Sequence, residues 1–193
     1  MYEFITGNIK EMTPASLIIE NAGVGYFVSI SLNTYSLLNG KTSAILYLHQ
    51  VVREDAHLLF GFADKTEREL FRQLITVSGI GANTARVMLS SLSPDEIRNA
   101  IATGNVGVLK GVKGIGLKSA QRIIVDLKDK LGKITQHEDI FAASDNTIRE
   151  EALSALIMLG FPKNAVEKVI NQLLAVGETG SVEDLIKRAL KKL

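Results

Sequence analysis

Three observations predict an α+β, multidomain fold. The first 63 residues hold short β-rich runs broken by turn residues, and from Asp64 onward the apolar spacing becomes helical. Residues 134–146 have no clear period and separate those helices from a last group of helical patterns. A chain of 193 residues is long enough for such a division. It has no cysteine, which excludes a disulfide framework and any thiolate metal site.

Residues 1–63 contain five strand-like runs: Phe4 to Ile9, Ser16 to Glu20, Tyr26 to Leu32, Ser43 to Val52 and His57 to Phe62. Thr13-Pro14 and Asn21-Ala22-Gly23-Val24-Gly25 are the turn signals between the first three, and Arg53-Glu54-Asp55-Ala56 joins the last two. No helix stands out among them. Five short strands suggest a small barrel, and the OB-like barrel is the five-stranded form that often binds nucleic acid.

Residues 64–133 are expected to be all helical. Asp64 with Glu67 reads as a capping box ahead of Leu70, Phe71, Leu74 and Ile75 at helical spacing. Ser93-Pro94-Asp95-Glu96 is a second helix start, with serine at the N-cap, proline at N1 and glutamate at N3. Two further helices are expected over Val106 to Lys110 and Lys118 to Leu131. Thr84 to Ser91 is also expected to be helix, and the motif Gly-Ile-Gly occurs twice in this segment, at Gly79-Ile80-Gly81 and at Gly114-Ile115-Gly116, each after an apolar helical segment and before a helix with a small or hydroxyl-bearing first turn. This is a helix, a tight hairpin and a helix, written twice. Glycine permits positive φ and close approach of a ligand, and the helix that follows offers unpaired N–H groups at a positive dipole end, where phosphate binds.

Charge supports that reading. Residues 1–63 hold three Lys/Arg against five Asp/Glu, residues 64–133 twelve against seven, and residues 134–193 seven against nine, so a net charge of +1 hides +5 on the segment with both hairpins. A polyanionic partner suits that segment. Gly79, Gly81, Gly114 and Gly116 are the candidate phosphate-binding positions, with Lys118 and Arg122 beside the second hairpin and Arg86, Lys110 and Lys113 as supporting cations. Tandem helix-hairpin-helix modules of this kind hold phosphates without reading bases.

Other chemistries fit less well. Gly111 to Ser119 nearly spells a P-loop, but Leu117 separates the glycine from the lysine and no strand precedes it; Ser119 stands where a dinucleotide fingerprint needs its third glycine. Neither ATP nor NAD is implied, and no cofactor is expected. A lysine just after such a hairpin is the nucleophile of helix-hairpin-helix DNA glycosylases, and Lys118 is placed similarly, but no Gly-Pro-Asp segment follows it. An adaptor whose hairpins merely pack, and which binds protein, remains the alternative of another class. His49, His57 and His137 are scattered and form no metal site. No apolar run reaches the roughly 18 residues of a membrane span. Met1-Tyr2-Glu3 opens no signal peptide, so a cytoplasmic protein is expected.

Beyond residues 134–146, taken as a flexible linker, helical patterns cover Ile148 to Leu159, Pro162 to Val176 and Val182 to Leu193, with Ser181 and Asp184 capping the third. A bundle over residues 147–193 has a marginal core, which a partner covering apolar surface would reinforce.

Taken together, these segments resemble the RuvA family of Holliday-junction branch-migration proteins over essentially the whole chain. The resemblance rests on Val51-Val52-Arg53-Glu54-Asp55-Ala56, Leu59-Phe60-Gly61-Phe62, Glu67-Arg68-Glu69-Leu70-Phe71, the two Gly-Ile-Gly hairpins, Ala120 to Lys128 and the tail around Leu156 to Gly160. It implies a homotetramer, single or stacked in pairs, that holds a four-way junction on its basic face. It implies a tail over residues 147–193 that binds the hexameric ATPase RuvB, with Leu156, Leu159 and Phe161 as candidate contacts, and the resolvase RuvC in the same pathway. Glu54 and Asp55 then correspond to the acidic pin at the junction centre. Two places depart from the family's pattern: Ala82-Asn83 stands where proline and lysine are frequent, and Val112-Lys113 and Leu117 stand where Leu-Pro and lysine are common.

Overall fold

The computed structural model describes residues 2–138, 144–175 and 181–193, with backbone alone for 129–138, 144–147 and 175. The chain divides into two compact units, Met1–Thr135 and Gln136–Leu193.

The first unit begins with β1 (Phe4–Thr13), β2 (Ser16–Asn21), β3 (Val24–Ile30), β4 (Ser43–Val52) and β5 (His57–Phe62). They close into a barrel in the order β1-β2-β3-β5-β4. Every pairing is antiparallel except β3 with β5, which meet in parallel at Ser29↔Phe60 and Ile30↔Gly61. Period-two alternation turns Leu17, Ile19, Val28, Ile30, Leu46 and Leu48 inward as the barrel core. The OB-like barrel expected from five short runs is therefore present.

One element of the barrel departs from that expectation. Between β3 and β4 the chain forms α1 (Leu32–Leu38), so the third strand stops at Ile30 and does not run to Leu32. Ser31 caps the helix by accepting from the Thr34 N–H at 3.0 Å, and Leu38 is buried at its far end. Seven residues are too few for an apolar period to declare itself.

The helices that follow are α2 (Lys65–Leu74), α3 (Ala82–Ser91), α4 (Pro94–Ala102), α5 (Val106–Lys110) and α6 (Leu117–Glu138). Phe60 and Phe62 of β5 pack on Phe71 of α2, with ring centroids 5.2 and 4.9 Å apart, and belong to the same core as Leu74, Met88, Ile101, Leu109, Ile123 and Leu127. The change from strand to helix at residue 64 is thus continuous in packing.

The two predicted capping boxes turn out differently. At α4 both halves form: the Ser93 hydroxyl accepts from the Glu96 N–H, and the Glu96 carboxylate accepts from the Ser93 N–H at 2.7 Å. At α2 only Asp64 caps, accepting from the Glu67 N–H at 2.7 Å. The Glu67 side chain points inward instead, fully buried, where the hydroxyls of Ser31 and Thr34 donate to its two oxygens. Burial raises its pKa, against the lowering effect of those two hydrogen bonds. Its neighbour Arg68, also buried, pairs with Glu3 at the start of the chain.

Helix α6 extends to Glu138, and the second unit opens with α7 (Ser144–Met158), so helix occupies both ends of the stretch read as a linker; its centre, 139–143, lies outside the described residues. With α8 (Lys163–Ala175) and α9 (Val182–Leu190), α7 makes a small bundle around Ala152, Leu156, Val166, Ile170, Leu173, Leu185 and Ala189. Ser181 caps α9 through the Asp184 N–H, as the sequence predicts.

Candidate nucleic-acid interface

The two hairpins are alike in their bonding. In each, the carbonyl of a buried valine accepts from the N–H of the central isoleucine: Ile80 to Val77 at 3.0 Å, and Ile115 to Val112 at 3.0 Å. Gly79 and Gly114, third in those four-residue turns, have φ of +89° and +91°, whereas Ser78 and Lys113 before them do not have positive φ. That combination defines a type II turn, which needs glycine at its third position. Ile80 and Ile115 are buried and fasten each turn to the core beneath it.

The second glycine of each motif has no such reason to be glycine. Gly81 has φ −85°, Gly116 lies outside the left-handed region, and a Cβ on either would meet nothing within 4 Å. Each occupies the position before a helix: the Ala85 N–H bonds Gly81 O at 2.9 Å to open α3, and the Ala120 N–H bonds Gly116 O at 2.9 Å to open α6. Helices α1, α2, α4, α5 and α9 have a side chain accepting from their first turn, whereas Gly81 supplies none to α3 and Gly116 has no side chain to supply. Neither α3 nor α6 has an acidic residue in its first turn. The helix starts at the hairpins therefore present bare N–H groups on an open, uncrowded surface, the arrangement that receives an anion.

Around the second hairpin Lys110, Lys113, Lys118 and Arg122 are all exposed, and among the described residues none of them makes an ion pair. Arg122 lies one helical turn beyond Lys118, on the same side of α6. Arg86, expected to support phosphate binding at the first hairpin, is placed differently. Its Nη1 donates to Ala15 O at 2.8 Å and to Ile30 O at 3.4 Å, so the guanidinium ties α3 to the barrel. The sequence carries no signal for that tie, because it joins residues far apart in the chain.

Glu54 and Asp55 are exposed at the tip of the β4–β5 hairpin, which the Arg53 N–H closes on Ala56 O at 2.8 Å. In the second unit the three tail candidates separate. Leu156 is fully buried in the bundle core, Phe161 is half-buried, and Leu159 is 61% exposed. Leu156 is thus a core residue and does not face a partner, because it shares the inward stripe of α7 with Ala152 at i,i+4 spacing. Met158, which no sequence signal marks, is 86% exposed beside Leu159 and just ahead of Gly160, whose φ is +97°.

Among the described residues no group of His, Asp or Glu side chains is arranged to hold a metal ion. None of the described helices is long and apolar enough to cross a membrane.

Comparison with known proteins covers nearly the whole chain. Residues 1–61 match the model of the RuvA N-terminal domain, 71–129 that of the SAM-like helix-hairpin-helix tandem, and 147–193 that of the RuvA C-terminal domain. A protein of Christiangramia forsetii named Holliday junction branch migration complex subunit RuvA is 47% identical over 193 residues, covering all of both chains. Proteins of the same name from Bacteroides fragilis and Porphyromonas gingivalis are each 50% identical, again over the full length of both chains. Identity at this level, from end to end and through all three domain models, places the chain in the RuvA family.

Proposed function

We propose that this protein is a non-catalytic DNA-binding subunit that recognises four-way (Holliday) junctions, holds them open, and recruits a hexameric RuvB-type ATPase for branch migration in recombination and repair. The observation that carries the reading is the pair Gly81 and Gly116: two glycines with no conformational or packing need for glycine, each before a helix start without a capping side chain. A phosphate group fills both requirements, since it needs the missing Cβ volume and supplies the missing acceptor. Contacts of that type position a duplex without reading its sequence.

Selectivity for a junction over plain duplex comes, in this reading, from assembly of four copies around the junction and from Glu54 and Asp55. A carboxylate brought to about 4 Å of a backbone phosphate is repelled by about 1 kcal/mol in water, and by more where water is excluded. Such a pair at the centre keeps the strands apart. The missing Gly-Pro-Asp segment argues against a nucleophilic role for Lys118 of the kind that helix-hairpin-helix glycosylases use. Residues 147–193 act as the docking module for the ATPase, with Leu159 and Met158 as the exposed apolar contacts, and a resolvase of the RuvC type works on the same junction.

A gel-shift comparison of a four-way junction with linear duplex of equal length tests the core of this proposal. The junction is expected to bind far more tightly, at any arm sequence; equal affinities defeat it. Deleting residues 147–193 is expected to leave junction binding intact and abolish ATPase-driven branch migration, whereas an adaptor with merely structural hairpins shows no junction binding to preserve. Glu54→Gln with Asp55→Asn is expected to leave or raise junction affinity, and a large drop contradicts the repulsion argument.

A further inference from the structure

The two hairpins share one backbone geometry but differ in electrostatic surroundings. No lysine or arginine lies between Arg72 and Arg86, the stretch that contains the whole first hairpin. Both flanking cations are engaged within the protein. Arg72 donates to Glu69 at 2.9 Å and to Glu3 at 3.4 Å, and Arg86 donates to the carbonyls of Ala15 and Ile30. The residues left around the turn are neutral: Ser78 inside it, and Asn83 and Thr84 in the first turn of α3. At the second hairpin the same turn carries Lys113 in place of Ser78 and Lys118 in the first turn of α6, with Lys110 before and Arg122 after, all exposed and unpaired among the described residues.

Resting on the function proposed above, we infer that the hairpins grip DNA by different physics. The first binds a phosphate through neutral backbone N–H groups and is held in fixed register with the barrel by Arg86, which acts as a positioning residue. The second supplies the positive charge through Lys113, Lys118 and Arg122. A neutral N–H group at a phosphate displaces few condensed counterions, whereas each lysine or arginine there releases about one. The salt dependence of junction binding therefore resides in the second hairpin, and the first sets where the arm lies.

The test is the slope of log K against log salt for the full-length protein on a four-way junction, read by fluorescence anisotropy, with a thermal melt of each variant to confirm folding. The variant Lys113→Gln, Lys118→Gln, Arg122→Gln is expected to flatten the slope by about 0.9 for each phosphate that is no longer neutralised, multiplied by the number of arms engaged. Gly81→Ser is expected to lower affinity by the same factor at every salt concentration, giving a parallel line. Arg86→Gln is expected to leave the slope unchanged, and Asn83→Lys to steepen it. An unchanged slope in the triple variant, or a flattened one in Gly81→Ser or Arg86→Gln, overturns the division. Failure of the wild-type protein to prefer the junction over duplex is a separate result, which defeats the underlying function instead.

Discussion

Thr34 Oγ1 donates to Glu67 Oε2 at 2.7 Å, joining the short helix at the end of the barrel to the first helix of the hairpin region. The same hydroxyl accepts from the Ala63 N–H at 3.0 Å, and Ser31 donates to the other carboxylate oxygen, so a buried acid holds three segments together. Glu67→Ala leaves both hydroxyls without their acceptor, and a decrease of about 2 kcal/mol is expected in urea unfolding near neutral pH. Glu67→Gln keeps an acceptor and removes the buried charge. Because burial raises the native pKa of Glu67, the native state binds its proton more tightly than the unfolded chain. The stability of the wild type relative to Glu67→Gln is therefore expected to rise as pH is lowered from 7 towards the ordinary glutamate value, and a flat difference refutes this.

His49 gives the opposite sign. Burial, then the charges of Arg72 and Arg68, lower its pKa, with Glu69 opposing, while its ring packs edge-on against Phe71 at 5.3 Å. The unfolded chain thus protonates first, and the stability that the neutral ring contributes is complete above about pH 6.5 and declines on acidification below it. The stability difference between wild type and His49→Gln is expected to shrink across that range. Denaturant melts at a series of pH values measure it.

At the hairpins, the two glycines of each motif are expected to respond in opposite directions. Gly79→Ala or Gly114→Ala forces an L side chain into positive φ and is expected to destabilise the fold by about 1 kcal/mol. Gly81→Ser or Gly116→Ser places a good N-cap in extended or unstrained backbone with open space around it. Such a serine is expected to raise stability by about 0.3 kcal/mol while lowering junction affinity, because its hydroxyl occupies the N–H groups that the phosphate needs. A thermal melt and an anisotropy titration on the same sample separate the two effects.

In the second unit, Leu156→Ala is expected to cost about 3 kcal/mol by opening a cavity in a small core. Met158→Ser with Leu159→Ser removes exposed apolar surface and is expected to leave the melting temperature almost unchanged while weakening capture of the RuvB-type ATPase. Equal ATPase binding by this variant refutes the proposed docking role.

What is legible in the sequence is whatever depends on neighbours in the chain. The five strands, the Ser93 and Glu96 capping box and the duplicated glycine turns all follow from local spacing, and the structure has each of them. What is hidden depends on partners distant in sequence. Glu67 stands three residues after Asp64, which reads as a capping box, but Ser31 and Thr34 offer its carboxylate better donors. Arg86 follows the first hairpin and reads as a phosphate ligand, yet Ala15 and Ile30 lie beside it and take its hydrogen bonds. Leu156 and Leu159, three apart in an apolar stretch, look equivalent in sequence, yet one is in the core and the other on the surface.

The parallel seam of the barrel bears on how the chain acquires its shape. Strand β5 joins β3 through two residue pairs, and together with β4 it packs on the helical core, through Phe60 and Phe62 beside His49 and Val51. Until residue 62 has been synthesised, β1 to β4 form an open sheet with exposed edges and an uncovered apolar face. Closure must then bring Ile30 beside Gly61, a pairing distant in sequence and slow to form compared with the local turns of the helices. A larger residue at Gly61 forces its packed neighbours to shift, since a Cβ there would lie 2.5 Å from Val28 Cγ1. The barrel is thus expected to be the last part of the first unit to mature and the part most prone to aggregate on the way, with Gly61 as the position where a single methyl group stalls it.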